Sequence, residues 1–131
     1  RAFGPQHPPR RGELAILAFP GDPAEDLLKR VIALPGDRIE IRNKAVFLNG
    51  TRLNEPYVRH EDGFSLPAAV SPRDNLGPLT IPPACFFVMG DNRDRSYDSR
   101  HFQCIEGSHF KGRPLYILRS EDGRRVGRPL R

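Results

Sequence analysis

The sequence has few cysteines and no long hydrophobic run. Its two cysteines, Cys85 and Cys104, are too few for a disulfide scaffold and do not form a Cys-x-x-Cys pair. Both lie in apolar, strand-like runs, so we expect buried free thiols, with a single bridge as the alternative if the flanking strands pair. No run approaches the roughly 18 to 20 apolar residues that span a bilayer, and no signal-peptide pattern follows Arg1.

Metal-binding and nucleic-acid-binding patterns are also absent. No zinc site is predicted, because no metal-ligand spacing relates the cysteines to one another or to the histidines, His7, His60, His101 and His109. The net charge is +5 and the isoelectric point is about 9.8, values that suit nucleic acid or an anionic membrane surface. Much of this charge is arginine near the two ends without interleaved aromatic residues, which argues against a base-stacking surface. A membrane-proximal role and a simple solubilising tail both remain open.

Proline and glycine are abundant, whereas amphipathic helical patterns are missing. The 131 residues include 14 prolines and 12 glycines, which disfavour a helical protein and suit short strands joined by turns. The length fits one domain with a modest core. We therefore predict an all-β fold with antiparallel, partly coiled β-sheets and little helix.

Apolar runs and alternating patterns locate the strands. We predict strands at residues 13–19, 26–34, 38–42 and 84–89, and, on weaker patterns, at 101–105 and 115–118. Asn49 and Gly50 lie between two short predicted strands, residues 45–48 and 51–53, and predict a type I′ hairpin. The proline-rich residues 54–83 are predicted to be a long connection or short insert with at most one short hairpin.

The densest run of turn-forming and charged residues follows the predicted strand at 84–89. Residues 90–100 read Gly-Asp-Asn-Arg-Asp-Arg-Ser-Tyr-Asp-Ser-Arg, and the first three of them favour tight turns. Asp94, Asp98 and Arg100 can pair with one another and make the loop rigid. A charged loop is most often a solvated surface, but the alternation of acid, base and hydroxyl directly after a buried strand favours a built site. We call residues 90–100 the shelf loop.

A single lysine stands inside the apolar run at 26–34. In a strand, Lys29 shares a face with Leu27 and Val31, whereas Arg30 points to the other face. A lone lysine on an apolar face usually extends its amine to water. The alternative is a buried amine with a lowered pKa, and the residues alone leave both readings open.

Together, the two stretches resemble the bacterial type I signal peptidases, also called leader peptidases. That family carries a Lys-Arg-hydrophobic-Leu-Pro-Gly-Asp box, matched by residues 29–37, and a Gly-Asp-Asn-Arg-Asp-x-Ser-x-Asp-Ser-Arg box, matched by the shelf loop. Residues 11–17 match a third box, with Glu13 in place of the family's aspartate. The order and approximate spacing agree as well, so the resemblance covers roughly residues 10–120.

The resemblance implies a serine protease with a lysine general base and no cofactor. Lys29 matches the base and Ser96 matches the serine that orients its amine, while five positions match residues that support the site: Asp91, Asn92, Asp94, Asp98 and Arg100. To accept a proton near neutral pH, the pKa of a lysine must fall from about 10.4 to roughly 7 or 8, and desolvation among apolar neighbours can cause this. Leu27 and Leu28 match positions that line the substrate cleft.

One family motif does not occur in the sequence. The nucleophilic serine of the family lies in a Ser-Met-x-Pro-Thr box, and these residues contain no such box. We therefore expect residues 1–120 to be the extracytoplasmic catalytic core without its membrane anchor and serine segment, soluble and inactive alone. Residues 121–131 are expected to be a flexible basic tail.

A smaller departure follows the shelf loop. Phe102 and Gln103 stand where the family usually has an aromatic residue followed by glycine. A glycine there can serve close packing or a positive φ angle.

The expected partner is the signal-peptide region of exported preproteins, cleaved after an Ala-x-Ala-type site at the extracytoplasmic side of the bacterial cytoplasmic membrane. A membrane surface is a second expected partner of the full-length protein, nucleic acid is not one, and the oligomeric state is not predicted. One alternative is a maturation peptidase of the conjugative-transfer type, which shares the same dyad. Another is a non-catalytic binding or assembly module on the same fold. A basic nucleic-acid-binding β-domain ranks last and would require tight binding with a sequence preference.

Overall fold

The computed structural model describes residues 3–4, 7–19 and 21–114. In this part of the chain the strands form two antiparallel sheets, and the regular helix is limited to one short α-helix and two 3₁₀ turns. The predicted all-β fold with little helix is therefore confirmed. The division into a core at 1–120 and a basic tail at 121–131 stays a prediction, since the tail lies outside the described residues.

The first sheet carries the lysine strand at its centre. Its order is β8-β7-β2-β1-β9, with bounds β1 Leu14–Phe19, β2 Asp22–Ala33, β7 Cys85–Met89, β8 Ile105–Glu106 and β9 Phe110–Gly112. Strand β2 is longer than the predicted 26–34 at its start, because it begins at Asp22, and it ends at Ala33. A register shift between Ala18 and Phe19 of β1 accommodates the extra residues.

The second sheet is a smaller unit that follows β2 in the chain. Its order is β5-β4-β3-β6, with bounds β3 Arg38–Arg42, β4 Ala45–Leu48, β5 Thr51–Arg52 and β6 Leu76–Thr80. Strand β3 alternates between exposed and buried residues, as its sequence predicts. Asn49 and Gly50 have φ angles of 52° and 87°, so the predicted type I′ hairpin between β4 and β5 is confirmed.

Two apolar clusters cover the two faces of the first sheet. One lies between the sheets and joins residues of β2 and β7 to β3 and β4: Ile32, Ala33, Phe87, Met89, Ile39, Ile41, Val46 and Leu48. The other lies on the opposite face and contains Ala15, Leu17, Val31, Val88 and Ile105. Because Lys29 pairs with Ala15 and Leu27 with Leu17 across β1 and β2, Lys29 lies on this second face.

The expectation of free thiols is wrong. Cys85 and Cys104 form a disulfide, with their Cα atoms 5.6 Å apart. The alternative condition is met, because β7 and β8 pair at Cys85–Glu106 and Phe86–Ile105, which brings the two cysteines side by side. The sequence pattern did not show this pairing, because β8 has only two residues.

The strand predicted at 101–105 is also wrong in part. The chain instead forms helix α1, Ser99–Phe102, and only then enters β8. The Asp98 side chain caps this helix by accepting from the Arg100 backbone N–H at 3.1 Å, and this capping favours a helical turn over an extended chain.

Strand β6 was not predicted, because its residues lie in the proline-rich region at 54–83. That strand pairs with β3 and contains Pro78 in a cis peptide bond. Since proline donates no backbone hydrogen bond, its position in a strand with a single neighbour is consistent with the rules for sheets. The strand predicted at 115–118 lies outside the described residues.

Candidate active site

Lys29 and Ser96 come together although 67 positions separate them in the chain. The Lys29 Nζ donates a hydrogen bond to the Ser96 Oγ at 2.9 Å. Both side chains are half-buried. Strand β2 presents the lysine from the centre of the first sheet, and β7 leads directly into the shelf loop that carries the serine. The Ser96 hydroxyl in turn hydrogen-bonds to the carboxylate of Asp98.

Gly90 makes this close approach possible. A Cβ atom built on Gly90 would lie 2.2 Å from the Ser96 Oγ, 2.7 Å from the Ser96 Cβ and 3.5 Å from the Lys29 Nζ. The first two distances are far shorter than any normal contact, so the pair can adopt this arrangement only beside a glycine.

Asp98 and Arg100 form a buried ion pair behind Ser96. The Asp98 carboxylate accepts from the Arg100 Nε at 2.9 Å and from the Gly90 backbone N–H at 3.0 Å. Both side chains are almost completely buried, with 0% and 1% exposed. Burial alone would raise the pKa of Asp98, but the hydrogen bonds and charge of Arg100 and the Gly90 N–H hold it below its ordinary value. The carboxylate therefore stays charged and keeps the Ser96 hydroxyl directed.

Asp91 and Asn92 begin the shelf loop and tie it to two neighbours. The Asp91 carboxylate accepts hydrogen bonds from both the Nε and the Nη2 of Arg30, at 3.0 and 2.8 Å, in a bidentate salt bridge. Because Arg30 follows Lys29 in β2, this contact fixes the loop to the lysine strand itself. The Asn92 Nδ2 donates to the Glu61 Oε2 at 3.0 Å.

Asp94 lies apart from the Asp98–Arg100 pair and does not form the mutual contact that the sequence suggested. Its carboxylate accepts from the Lys44 Nζ at 2.8 Å and from the backbone N–H groups of Glu61 and Asp62 at 2.7 and 2.6 Å. Burial raises the pKa of Asp94, but Lys44 and the two backbone donors outweigh it and hold the pKa well below its usual range. Asp94 thus anchors the loop to the 54–75 connection.

Arg93, Glu55 and Lys44 also hold the shelf loop, although the sequence motifs do not predict this role for them. The Arg93 side chain is 2% exposed, donates to the Gly90 carbonyl at 2.8 Å and pairs with Glu55 at 2.8 Å. Glu55 and Lys44 lie far from the loop in sequence, so no local pattern links them to it. The arginine in the shelf motif was the one available signal.

An aromatic group flanks the Lys29–Ser96 pair. The Tyr97 ring is 54% exposed, stacks on His101 at 5.3 Å between centroids and contacts the rings of Phe19 and Phe102 at 6.0 and 5.4 Å. Burial lowers the pKa of His101 from its ordinary value, and the nearby Asp98 charge only partly offsets this. The group is therefore apolar and largely uncharged at neutral pH.

The lysine strand also exposes a backbone edge. Strand β7 pairs with β2 from Arg30 to Ala33, and no other strand in the described part of the chain pairs with that edge at residues 22–29. Leu27 packs against the second apolar cluster on the Lys29 face, whereas Leu28 lies on the opposite face, paired with Ile16 of β1. Both leucines are half-buried beside an edge that can accept another strand.

Gln103 has a backbone conformation that normally requires glycine. Its φ and ψ angles are 70° and −166°, a region that side chains rarely enter. The glycine usual in the resembled family would adopt it without strain, so this departure from the family pattern carries a local conformational cost.

Comparisons with known proteins decide the family. The model of the family described as "Signal peptidase, peptidase S26" matches residues 3–119. The chain belongs to this signal peptidase family. Its members are serine peptidases that remove signal peptides from preproteins.

Several individual signal peptidases are similar to this chain. Signal peptidase I of Bacillus caldolyticus is 40% identical over 102 residues, covering 75% of this chain and 56% of the relative. Signal peptidase I V of Bacillus subtilis (strain 168) is 37% identical over 101 residues, covering 74% and 60%. The crystal structure of a signal peptidase I from Enterococcus faecalis V583 superposes with a TM-score of 0.66 and 26% identity, over 87% of this chain and 100% of that one.

The chain spans between about half and three fifths of the length of these two Bacillus relatives. Within residues 3–4, 7–19 and 21–114, no helix has the length and apolar character needed to cross a bilayer.

Proposed function

We propose that this chain is the catalytic-core part of a serine endopeptidase that removes signal peptides after Ala-x-Ala-type sites. In this proposal Lys29 is the general base, Ser96 orients its amine, and the site faces the extracytoplasmic side of a bacterial membrane. The hydrogen bond of 2.9 Å between the Lys29 Nζ and the Ser96 Oγ, formed by two residues of separate family motifs, is the observation that carries the proposal.

The proposed nucleophile is a serine outside these 131 residues, in a Ser-Met-x-Pro segment of the type found in the family. The unprotonated Lys29 amine accepts the proton of that serine while the serine oxygen attacks the scissile carbonyl carbon. The protonated lysine then returns the proton to the leaving amine, and water hydrolyses the resulting ester in the same manner. An amine that donates one N–H to Ser96 keeps its lone pair directed away from Ser96, toward the incoming serine.

The proposed substrate binds as an added strand along the exposed edge of β2. An extended peptide gains backbone hydrogen bonds at such an edge, and alternate side chains enter pockets on either face. Leu27 lies on the same face as Lys29, two residues before it, so it would contact a side chain close to the cut bond. Leu28 would contact the peptide from the opposite face.

The direct test is cleavage of an Ala-x-Ala signal-peptide substrate. It would use the chain joined to the residues encoded upstream of Arg1, and compare the native sequence with Lys29→Met, which keeps the apolar stem but removes the amine. Because a positioned base typically contributes about 10²- to 10⁴-fold, we expect at least a 100-fold loss in Lys29→Met. Arg42→Met is the matched control, since the Arg42 side chain is 57% exposed on β3 and should leave the rate unchanged.

Other results would favour the alternatives. An extended chain that contains a Ser-Met-x-Pro segment and does not cut any peptide would contradict the proposal and favour a binding or assembly module. Cleavage that tolerates bulky residues at the first and third positions before the cut would favour a maturation peptidase of the conjugative-transfer type. Lys29-dependent cleavage by the 131 residues alone would place the nucleophile within them.

A further inference from the structure

The disulfide encloses the whole shelf loop. Cys85 begins β7 and Cys104 follows α1, and 19 positions separate the two cysteines. Ser96 and all five predicted supporting residues lie between them. The bond therefore closes a loop that contains Ser96 and its predicted supporting residues, whereas Lys29 lies outside it.

Strained backbone lies directly before each cysteine. Ala84 has a φ angle of 64° and Gln103 has a φ angle of 70°, and neither is a glycine. The ψ angle of −166° places Gln103 in a region that is almost restricted to glycine. Such conformations persist only where the surrounding structure imposes them. The disulfide formed by the residue that follows each of them is a constraint of this kind.

A short series of contacts links Gln103 to the catalytic pair. The Gln103 backbone N–H donates to the Ser99 carbonyl at 2.9 Å, and the Ser99 Oγ accepts from the Val88 N–H of β7, also at 2.9 Å. Asp98 caps the same helix and binds the Gly90 N–H and the Ser96 hydroxyl. A change in the path of α1 is therefore transmitted to the oxygen that orients Lys29.

Backbone pairing holds the end of this segment at only two positions, next to the buried Ile105. Strand β8 pairs with β7 at two positions, Cys85–Glu106 and Phe86–Ile105, and the Gly107 N–H donates to the Ala84 carbonyl at 3.1 Å. Strand β7, by contrast, pairs with both β2 and β8. The helix side, with Gln103, is thus the side that we expect to move when the bond is opened.

We propose that the Cys85–Cys104 bond is a positioning device for the Lys29–Ser96 pair, so that the site is assembled only in the oxidised protein. Oxidation proceeds by thiol–disulfide exchange: the two cysteine thiols give up two electrons and two protons and form the bond, while the disulfide of an oxidoreductase or of a small molecule accepts them and becomes two thiols. Reduction reverses this step and allows Gln103 to leave its strained conformation. The proposal relies on the proposed function only for the catalytic role of the pair.

The experiment uses the 131-residue chain with lysine labelled with carbon-13 at Cε. The sequence has three lysines, Lys29, Lys44 and Lys111, so three signals report on the site, on the Asp94 contact and on a reference in β9, where Lys111 pairs with Asp26. Spectra are recorded at one pH before and after reduction with a phosphine. We expect the Lys29 signal to shift on reduction while the Lys111 signal stays. A Lys29 signal that is unchanged in the reduced, folded chain overturns the proposal.

Gln103→Gly is the decisive variant, because glycine adopts the observed φ and ψ angles without strain. We expect its Lys29 signal to remain at the oxidised position after reduction. Ala84→Gly is the matched control, which relieves strain on the β7 side, and its Lys29 signal should still shift. Equal rescue by both variants, or by neither, overturns the proposal. The comparison of the two variants also tests the proposal if the reduced native chain unfolds. In that case the reduced Gln103→Gly variant should still give the spectrum of a folded chain, and the reduced Ala84→Gly variant should not.

Activity provides a second readout. Since a displacement of about 1 Å in a catalytic group can cost about 100-fold in rate, reduction of the chain extended through its upstream residues should lower cleavage by at least tenfold, and Gln103→Gly should prevent that loss. If the extended chain does not cut in either redox state, the proposed function fails, while the lysine spectra still decide whether the disulfide positions the pair.

Discussion

Gly90 is the residue on which the geometry of the Lys29–Ser96 pair depends most directly. In Gly90→Ala the new methyl group would overlap the Ser96 side chain, 2.2 Å from its Oγ. Ser96 must then move, and the hydrogen bond to Lys29 is lost. We predict a loss of about 1–3 kcal/mol of stability from overpacking, measured by urea unfolding, together with a large loss of cleavage.

Gly63→Ala is the control for this substitution. A Cβ atom on Gly63 meets no atom within 4 Å, so stability and cleavage should change little. Equal effects at the two glycines would contradict the role assigned to Gly90.

Asp37 gives the pH dependence of stability at the end of the lysine strand. Its carboxylate accepts from the Arg11 guanidinium at 2.7 and 2.9 Å, from the Leu34 N–H at 2.8 Å and from Asn49 at 3.2 Å. The Arg11 hydrogen bond is the largest cause that lowers the pKa of Asp37 to about 2. Because the folded pKa lies below the unfolded value of about 3.9, the stabilisation is complete above pH 4 and is lost as the pH falls toward 2.

The corresponding variant is Asp37→Asn. At pH 7 it should be less stable than the native chain by about 2.5 kcal/mol, the free energy of a pKa difference of nearly two units. The difference should shrink between pH 4 and pH 2 in urea unfolding experiments. A difference that is the same at pH 7 and pH 2 would contradict this account.

The residues of the site divide into those that sequence can and cannot predict. Lys29 and Ser96 are found because each lies in a long motif. The partners of the loop are not found in this way: Lys44 binds Asp94, and Glu55 binds Arg93, across separations of 50 and 38 positions. Such contacts depend on how the sheets and connections pack, and a local pattern carries no information about that packing.

Strand β2 and the shelf loop act as one unit through Arg30. Its guanidinium forms a bidentate salt bridge with Asp91 and also donates to the Gly12 carbonyl at 2.8 Å. A lysine at this position would keep the positive charge but could not form the bidentate contact of the guanidinium. We predict that Arg30→Lys destabilises the chain by about 1–2 kcal/mol, within the range for hydrogen bonds to charged groups, and lowers cleavage because the loop is less firmly fixed to the lysine strand.

Thermal and urea unfolding measure the first effect, and Arg42→Lys is the control. The Arg42 side chain is 57% exposed, so its substitution should stay within about 0.5 kcal/mol. If Arg30→Lys is as stable and as active as Arg42→Lys, the contact with Asp91 does not fix the loop.

Elements with a strong local pattern were predictable, and elements shaped by the rest of the fold were not. Alternation in β3 and the Asn49-Gly50 turn predicted their structures. Strand β6 contains Pro78, so its local sequence disfavours a strand. It adopts the strand conformation through its pairing with β3. Helix α1 has four residues, and its capping by Asp98 is part of the site rather than of a helical pattern.

At the scale of the whole molecule, each of the two faces of the first sheet carries an apolar cluster. One face packs on the second sheet, and the other carries Lys29 among apolar side chains. Composition and periodicity predicted the fold class, but not this arrangement or the Cys85–Cys104 bond, because both depend on which strands become neighbours. The motif matches predicted the family, which the comparisons show.

The central claim is that Lys29 is the base of a peptidase, positioned by Ser96. The most direct test is the pH dependence of single-turnover cleavage by the chain extended through its upstream residues. We predict that the cleavage rate falls as the pH is lowered and one group, Lys29, becomes protonated. In Ser96→Ala this acidic limb of the pH–rate profile should persist but lie at a different pH. Lys29→Met should abolish the limb together with the activity. His101→Gln should keep the limb, which separates the lysine from the nearby histidine. Retention of both rate and limb in Lys29→Met would contradict the account.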